Sequence, residues 1–265
     1  MKKILRVLLI LTSIYVLVCL LLFAFQEKLI FFPEKLEKDY TFEFGRPYKI
    51  VPVQTQDDVI LNGILFPAKK NAKGLIFYLH GNAGSLRTWG NVAEAYNYFG
   101  YDVYILDYRG YGKSGGTIES QTQLFSDVQA AYDKMKLSYD EKKIVVLGYS
   151  IGTGPAAHLA AGNNPKKLIL QAPYYSLTCL MKDRFPVVPT SILRYKLETD
   201  KFLKHCKMPV VLFHGNNDKV IPHTSSLKLA QHFKTSDSLI ILTGQGHNGM
   251  SENYQYLEAI SRILE

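Results

Sequence analysis

Two stretches of the chain match G-x-S-x-G, a spacing in which a serine can serve as a nucleophile. The first match covers residues 148–152 and is centred on Ser150, and the second covers residues 112–116 and is centred on Ser114. A nucleophilic serine of this type lies on a sharp turn between a strand and a helix, which exposes its hydroxyl at the edge of a sheet. The sequence around each match therefore decides which serine is the better candidate.

Only Ser150 has the local sequence that such a turn requires. The apolar residues 144–147 predict a buried strand directly before the match, and residues 152–162, rich in glycine and alanine, predict a helix after it. Ser114 instead lies in a glycine-rich loop well past the preceding predicted strand, and polar residues follow it. We therefore interpret Ser150 as the nucleophile and Ser114 as part of a loop.

The same glycine-rich loop, residues 108–116, also matches the G-x-G-x-x-G pattern of dinucleotide-binding folds. In that fingerprint the third glycine lies in an opening helix, whereas here the pair Gly115 and Gly116 disfavours a helix. A Walker A loop fails as well, because Asp107 occupies the position of its first glycine. We therefore interpret the glycines as residues of a loop with unusual backbone angles. The weaker alternative is that the loop binds a dinucleotide and the protein is a nicotinamide-dependent oxidoreductase.

A serine hydroxyl becomes a strong nucleophile when a neighbouring base takes its proton, and histidine suits this role. His247 is the best candidate because it follows the last predicted strand in a loop with three glycines, and His223 is the second choice. Asp218, just past another predicted strand, is the candidate carboxylate that orients the imidazole. Asp107 also ends a strand but precedes Ser150, whereas the chain order Ser, Asp, His is that of hydrolases built on an α/β sheet.

An acyl-transfer site also needs backbone N–H groups that stabilise the developing oxyanion. The N–H of Ile151, directly after the nucleophile, is the first candidate donor. The loop 80–84 offers the second donor, which we assign to Asn82 with Ala83 as the alternative. All these residues follow predicted strands, and open α/β sheets react at the carboxyl edge.

Five motifs together resemble the α/β-hydrolase superfamily over residues 48–265. They are HGNAGS (80–85), LDYRGYGKSGG (106–116), GYSIG (148–152), HGNNDKVIP (214–222) and GQGHN (244–248). The resemblance implies a serine hydrolase without metal or cofactor, and it assigns Ser114 to the loop after the fourth strand. The apolar N-terminus followed by QEKLIFFP (26–33) is similar to a membrane-anchored branch related to eukaryotic depalmitoylase-type hydrolases. That branch implies acyl ester or thioester hydrolysis at a membrane surface.

The composition is that of a folded globular chain. The 265 residues are 47% hydrophobic and 20% charged, with a formal net charge of +8. No basic run exceeds two residues, so we do not expect nucleic-acid binding. The cysteines Cys19, Cys179 and Cys206 have neither metal-site nor disulfide-framework spacing.

The N-terminus predicts a membrane anchor over residues 1–28. Lys2, Lys3 and Arg6 precede an uncharged run over residues 7–25, and a helix needs about 20 apolar residues to cross a bilayer. The run is long for a cleaved signal peptide, and no A-x-A cleavage site follows it. The basic flank predicts a cytoplasmic N-terminus and an extracytoplasmic catalytic domain.

A membrane-proximal linker over residues 29–47 connects this anchor to a hydrolase domain over residues 48–265. Its apolar start, residues 29–33, either rests in the membrane interface or packs on the domain.

Short strand-like runs alternate with helical patterns in the domain, which predicts an α/β fold with a mainly parallel, eight-stranded sheet flanked by helices. The predicted strands are 49–54, 60–66, 75–79, 103–106, 144–147, 168–170, 210–213 and 239–242. Only a turn separates the first two, so we expect an antiparallel edge there.

Residues 172–208 break this alternation and predict a short lid insertion between two strands. Phe185, Val187 and Val188 in it either line an apolar acyl site or pack on the domain. The expected substrate is an acyl-bearing small molecule, a lipid or an acylated protein. A peptidase, and a binding or scaffold protein with an idle triad, are the alternatives, because the fold does not determine the substrate.

Overall fold

The computed structural model describes residues 1–69 and 71–265. The domain is built around a central eight-stranded sheet. The strands are β1 (Phe32–Pro33), β2 (Lys49–Ile50), β3 (Val53–Gln54), β4 (Ile60–Leu61), β5 (Gly63–Phe66), β6 (Leu75–Leu79), β7 (Ala83–Gly84), β8 (Asp102–Leu106), β9 (Ile144–Tyr149), β10 (Lys167–Gln171), β11 (Val210–Gly215) and β12 (Ser238–Leu242). The sheet order is β12-β11-β10-β9-β6-β8-β5-β2. Neighbours from β12 to β8 are parallel, and β5 and β2 are antiparallel. The predicted mainly parallel, eight-stranded sheet is confirmed.

The chain has ten α-helices in its described part. They are α1 (Lys2–Ala24), α2 (Gln26–Ile30), α3 (Leu86–Trp89), α4 (Ala93–Tyr98), α5 (Gln121–Lys136), α6 (Thr153–Gly162), α7 (Leu177–Arg184), α8 (Thr199–Leu203), α9 (Thr224–Ala230) and α10 (Tyr254–Leu264). Helices α5 and α6 pack on one face of this sheet and α4 and α10 on the other. Helix α5 begins where the Ser120 hydroxyl accepts a hydrogen bond from Gln123 N, which satisfies one free N–H of its first turn.

Two hydrophobic cores lie on opposite faces of the sheet because side chains alternate along each strand. In β6, Leu75, Phe77 and Leu79 belong to the core covered by α5 and α6, whereas Ile76 and Tyr78 belong to the core covered by α4 and α10. Every residue of β6 and β9 is buried. This burial explains why both strands read as continuous apolar runs.

The first two predicted strands each divide into two short ones. Pro52 separates β2, which pairs with β5, from β3, which pairs with β4, because proline has no N–H for a ladder. Asn62 separates β4 from β5, and its N–H donates to Ser114 Oγ at 2.8 Å. Ser114 in turn donates to Asp107 O at 2.8 Å, so its hydroxyl connects the edge strands to the glycine-rich loop.

The N-terminal helix α1 is long and apolar enough to cross a membrane, and none of its residues is buried. The linker that follows it packs on the domain. Phe31 is buried, and β1 pairs in parallel with β7 through Phe32 and Ala83. Further along, Leu36 N donates to Gly112 O at 3.0 Å. Of the two placements expected for the apolar residues 29–33, packing on the domain is therefore the one observed for Phe31.

Candidate active site

Ser150 lies on a sharp turn between β9 and α6. Its backbone φ is 52°, a left-handed value that is uncommon for a residue other than glycine. Position 148 faces the start of α6 and position 152 faces the end of β6, and neither has room for a side chain. A Cβ at Gly148 would lie 2.6 Å from Gly152 O, and a Cβ at Gly152 would lie 2.7 Å from His80 O and still closer to Leu79 O. The two glycines of the motif are thus required by packing.

Adding one methyl group at this turn should therefore destabilise the fold. Gly152→Ala is expected to lower the free energy of unfolding by about 1–3 kcal/mol, the usual range for overpacking, in urea unfolding of the detergent-solubilised chain. Gly162→Ala is the matched control, because a Cβ there meets nothing within 4 Å. Equal stability of the two variants would contradict the packing argument.

The structure brings the three sequence-predicted side chains together. The His247 Nε2 atom lies 3.0 Å from Ser150 Oγ, and His247 Nδ1 lies 2.7 Å from Asp218 Oδ2. His247 comes from the loop after β12, and Tyr149 supports that loop by donating its hydroxyl to His247 O at 2.5 Å. The second-choice base, His223, lies directly before α9 instead. This geometry lets His247 take a proton from Ser150 while Asp218 faces the opposite ring nitrogen.

The Asp218 carboxylate is buried but well supplied with hydrogen bonds. Its Oδ1 accepts from the N–H groups of Val220 and Ile221, each at 2.8 Å. Burial by itself raises the pKa of Asp218, but hydrogen bonds from His214, His247 and the Ile221 amide outweigh it and hold the pKa well below its usual range. The carboxylate is therefore ionised at neutral pH.

A second histidine, His214, contacts the same carboxylate, although no role is predicted for it from the sequence. Its Nε2 lies 3.4 Å from Asp218 Oδ2 and 2.8 Å from Ile221 O, and its Nδ1 lies 2.7 Å from Ser226 Oγ. His214 lies near the end of β11 and is fully buried. The sequence feature that could have identified this contact is the position of His214 four residues before Asp218 in the HGNND motif.

The two candidate oxyanion donors also lie near the carboxyl ends of neighbouring strands. Ile151 follows Ser150 in a 3-10 helix at the start of the turn, where backbone N–H groups have no intrahelical partner. Asn82 follows β6, and its side chain is held by three groups: Nδ2 donates to Ile30 O at 2.6 Å, and Oδ1 accepts from Tyr111 Oη at 3.0 Å and Phe32 N at 3.3 Å. The alternative donor Ala83 lies in β7.

The interior of the glycine-rich loop is filled by protein groups. Gly112 has a φ of +50° and lies so close to the Asp107 carboxylate that a side chain would collide with it. Asp107 Oδ1 accepts from Leu86 N at 2.9 Å, and the Ser114 hydroxyl bonds to Asp107 O. These contacts hold the loop against the carboxyl end of β8. Among the described residues there is also no cluster of three or more metal-ligating side chains.

Three kinds of comparison relate this chain to known proteins. A family model described as serine aminopeptidase S33 matches residues 70–195. An uncharacterized protein of Mycobacterium tuberculosis is 28% identical over 253 residues, which cover 93% of this chain and 90% of that protein. The human alpha/beta hydrolase domain-containing protein 17B is 28% identical over 200 residues, covering 73% of this chain and 67% of that protein.

Among solved structures, an esterase of Pyrococcus furiosus superposes with a TM-score of 0.72 at 20% identity, covering 89% of this chain and 96% of that one. The esterase Est1E of Butyrivibrio proteoclasticus, solved with ferulic acid, gives a TM-score of 0.63 at 20% identity over 80% of this chain and 95% of that one. At such identities these two structures establish the fold that the chain shares with them.

Proposed function

Because the chain is a member of the α/β-hydrolase superfamily, we propose that it is a serine hydrolase that cleaves acyl ester or thioester bonds. The observation that carries this proposal is the line of hydrogen bonds from Ser150 Oγ through His247 to Asp218, at 3.0 and 2.7 Å. A serine, a histidine and a carboxylate in this arrangement form the nucleophile, base and orienting group of acyl transfer.

In the first half of the reaction, Ser150 Oγ attacks the acyl carbonyl carbon and its proton passes to His247 Nε2. The negative charge that develops on the carbonyl oxygen is stabilised by the N–H groups of Ile151 and Asn82. A single donor of this kind contributes about 10²–10³ in kcat. We assign the backbone N–H of Asn82 to this role, because the side chain of Asn82 is committed to Ile30, Phe32 and Tyr111.

Collapse of the tetrahedral intermediate then breaks the bond to the leaving alcohol or thiol, which takes the proton from His247. Water repeats the sequence in the second half: His247 removes its proton, the hydroxide attacks the acyl-enzyme, and Ser150 recovers its proton as the carboxylic acid leaves. Throughout, the Asp218 carboxylate accepts a hydrogen bond from the Nδ1–H group of His247 and stabilises the imidazolium without being protonated itself. These steps need no metal or organic cofactor.

We further propose that residues 1–28 anchor the enzyme, that residues 29–47 connect the anchor to the domain, and that residues 172–208 form a lid over the domain 48–265. Helix α1 would cross the membrane with its basic N-terminus in the cytoplasm and the catalytic domain on the extracytoplasmic side. Protease added to spheroplasts of an expression host should then digest the domain, and protection of the domain would contradict this orientation.

Turnover of p-nitrophenyl acyl esters tests the proposed chemistry directly. We expect saturable hydrolysis by the full chain, and the same acyl groups offered as thioesters measure the preference between the two bonds. An aminoacyl p-nitroanilide tests the peptidase alternative, which the description of the matched family favours. A folded chain that hydrolyses none of these substrates would support the idle scaffold instead.

A further inference from the structure

The lid segment carries an exposed apolar tip over residues 185–188, which we name the lid tip. The side chains of Phe185 and Val187 in this tip are 61% and 76% exposed. The tip contains no charged residue, and Lys182 and Arg184 precede it in α7. Large apolar side chains that are exposed together point to an interaction site.

The lid tip lies against the helix that we propose as the membrane anchor. The Tyr15 hydroxyl donates to Val187 O at 2.8 Å. Tyr15 lies nine residues before the end of α1 at Ala24, which at 1.5 Å per residue is about 13 Å along the helix axis. If α1 spans a bilayer and leaves its apolar layer near Ala24, the contact therefore places Val187 well inside that apolar layer.

Charged groups lie at the other end of the same contact. The Arg194 guanidinium pairs with Glu27 at 2.6 Å and lies 5.1 Å from the Phe23 ring centroid. The Gln26 side chain meets the lid at the same level, donating to Ile192 O at 3.2 Å and accepting from Arg194 N at 2.8 Å. The polar part of the lid thus lies beside the C-terminal end of α1, and the apolar tip lies beside the middle of α1. A segment that crosses a membrane interface has the same arrangement of polar and apolar residues.

The backbone of the lid tip is also suited to an apolar environment, where an unsatisfied polar group costs several kcal/mol. Phe185 N donates to Met181 O at 2.7 Å, and Val188 N donates to Phe185 O at 2.9 Å. Pro186 has no N–H, and Val187 O is satisfied by Tyr15. Four of the seven backbone N–H and C=O groups of the tip are therefore paired within the protein.

We propose that the lid tip inserts into the bilayer leaflet that surrounds the C-terminal half of α1. This inference rests on the proposed anchoring by α1. Lipid acyl chains then cover the apolar side chains of the tip. The protein contacts the membrane through two elements, helix α1 and the lid tip.

Hydrogen bonds connect both membrane-contacting elements to the catalytic groups. Arg184, directly before the tip, donates to Lys219 O at 2.7 Å and to Val220 O at 2.9 Å, and Val220 N in turn donates to Asp218. After the helix, Ile30 O accepts from the Asn82 side chain. The lid tip is thus linked to the turn that carries Asp218, and the segment after α1 is linked to Asn82.

Depth-dependent fluorescence quenching tests the insertion. The chain has a single tryptophan, Trp89, which supplies a constant background. Val187→Trp in the full chain, reconstituted into phosphatidylcholine vesicles, should lose its added emission when the lipid acyl chains carry bromine. Leu137→Trp is the matched control, since Leu137 is similarly exposed and lies in the turn after α5, and its emission should not change. Leu11→Trp, within α1, reports on the anchor.

Quenching at position 187 and position 11, but not at 137, is the expected result. Quenching at position 11 without quenching at 187 overturns the insertion of the tip and leaves the anchor intact. No quenching at position 11 overturns the anchor and, with it, the insertion. A thermal melt of each variant verifies its fold. Hydrolysis of a water-soluble p-nitrophenyl ester by the wild-type chain needs no bilayer and tests the chemistry separately from both membrane proposals.

Discussion

Replacing Ser150 with alanine is expected to lower kcat for a p-nitrophenyl acyl ester by about 10⁶-fold, the scale of the loss when a triad serine is removed. The variant has no Oγ to form the acyl-enzyme, so His247 has no hydroxyl to deprotonate. Because alanine differs from serine only by the oxygen, the left-handed backbone at this position is affected little. Rates measured on the detergent-solubilised chain give the ratio.

Ser114→Ala is the matched control for this experiment, since Ser114 is the centre of the other G-x-S-x-G match. Its hydroxyl bonds to Asn62 N and Asp107 O, so the substitution should lower stability by about 1–3 kcal/mol through the unsatisfied Asn62 amide. Its kcat should stay near that of the wild type. A large loss of kcat in Ser114→Ala with an intact fold, and none in Ser150→Ala, would reverse the assignment of the nucleophile.

Asp218→Asn is expected to lower kcat by about 10⁴-fold without unfolding the domain. The carbonyl oxygen of the new amide would keep the acceptor position facing the N–H groups of Val220 and Ile221, which leaves the amide NH₂ facing His247 Nδ1. The imidazole must then accept at Nδ1 and carry its proton on Nε2, which is the wrong tautomer for a base that must deprotonate Ser150. Measuring kcat and the melting temperature of the same variant separates this effect from unfolding.

The control for this substitution is Asp237→Asn, because Asp237 also accepts backbone hydrogen bonds, from Val210 N and Lys234 N at 3.0 Å each. It contacts no residue of the candidate site in these bonds, so its kcat should be unchanged. If both substitutions reduced kcat to the same extent, the loss in Asp218→Asn would reflect general damage to the fold and not the histidine tautomer.

The positions of Ser150, Asp218 and His247 could be predicted from the sequence because each follows an apolar strand, and parallel strands end at one edge of the sheet. The local sequence also separated Ser150 from Ser114, since only Ser150 stands between a strand and a helix. Their catalytic roles remain predictions until they are tested.

Other features depend on side chains that meet backbone groups far away in the chain, and no local pattern encodes them. Asn62 divides an edge strand because its N–H bonds to Ser114, and the Asn82 side chain bonds to the linker at Ile30. The contact between Tyr15 and Val187 joins residues 172 positions apart. His214 differs from these, because its spacing to Asp218 was visible but has no meaning without the turn that brings the two together.

The most direct test of the central claim is to treat the folded full chain with a fluorophosphonate and to identify the modified residue by mass spectrometry. We predict one adduct, on the peptide that contains Ser150, and no adduct in Ser150→Ala. A folded wild-type chain that remains unmodified, or one modified at Ser114 in place of Ser150, would contradict the proposed mechanism.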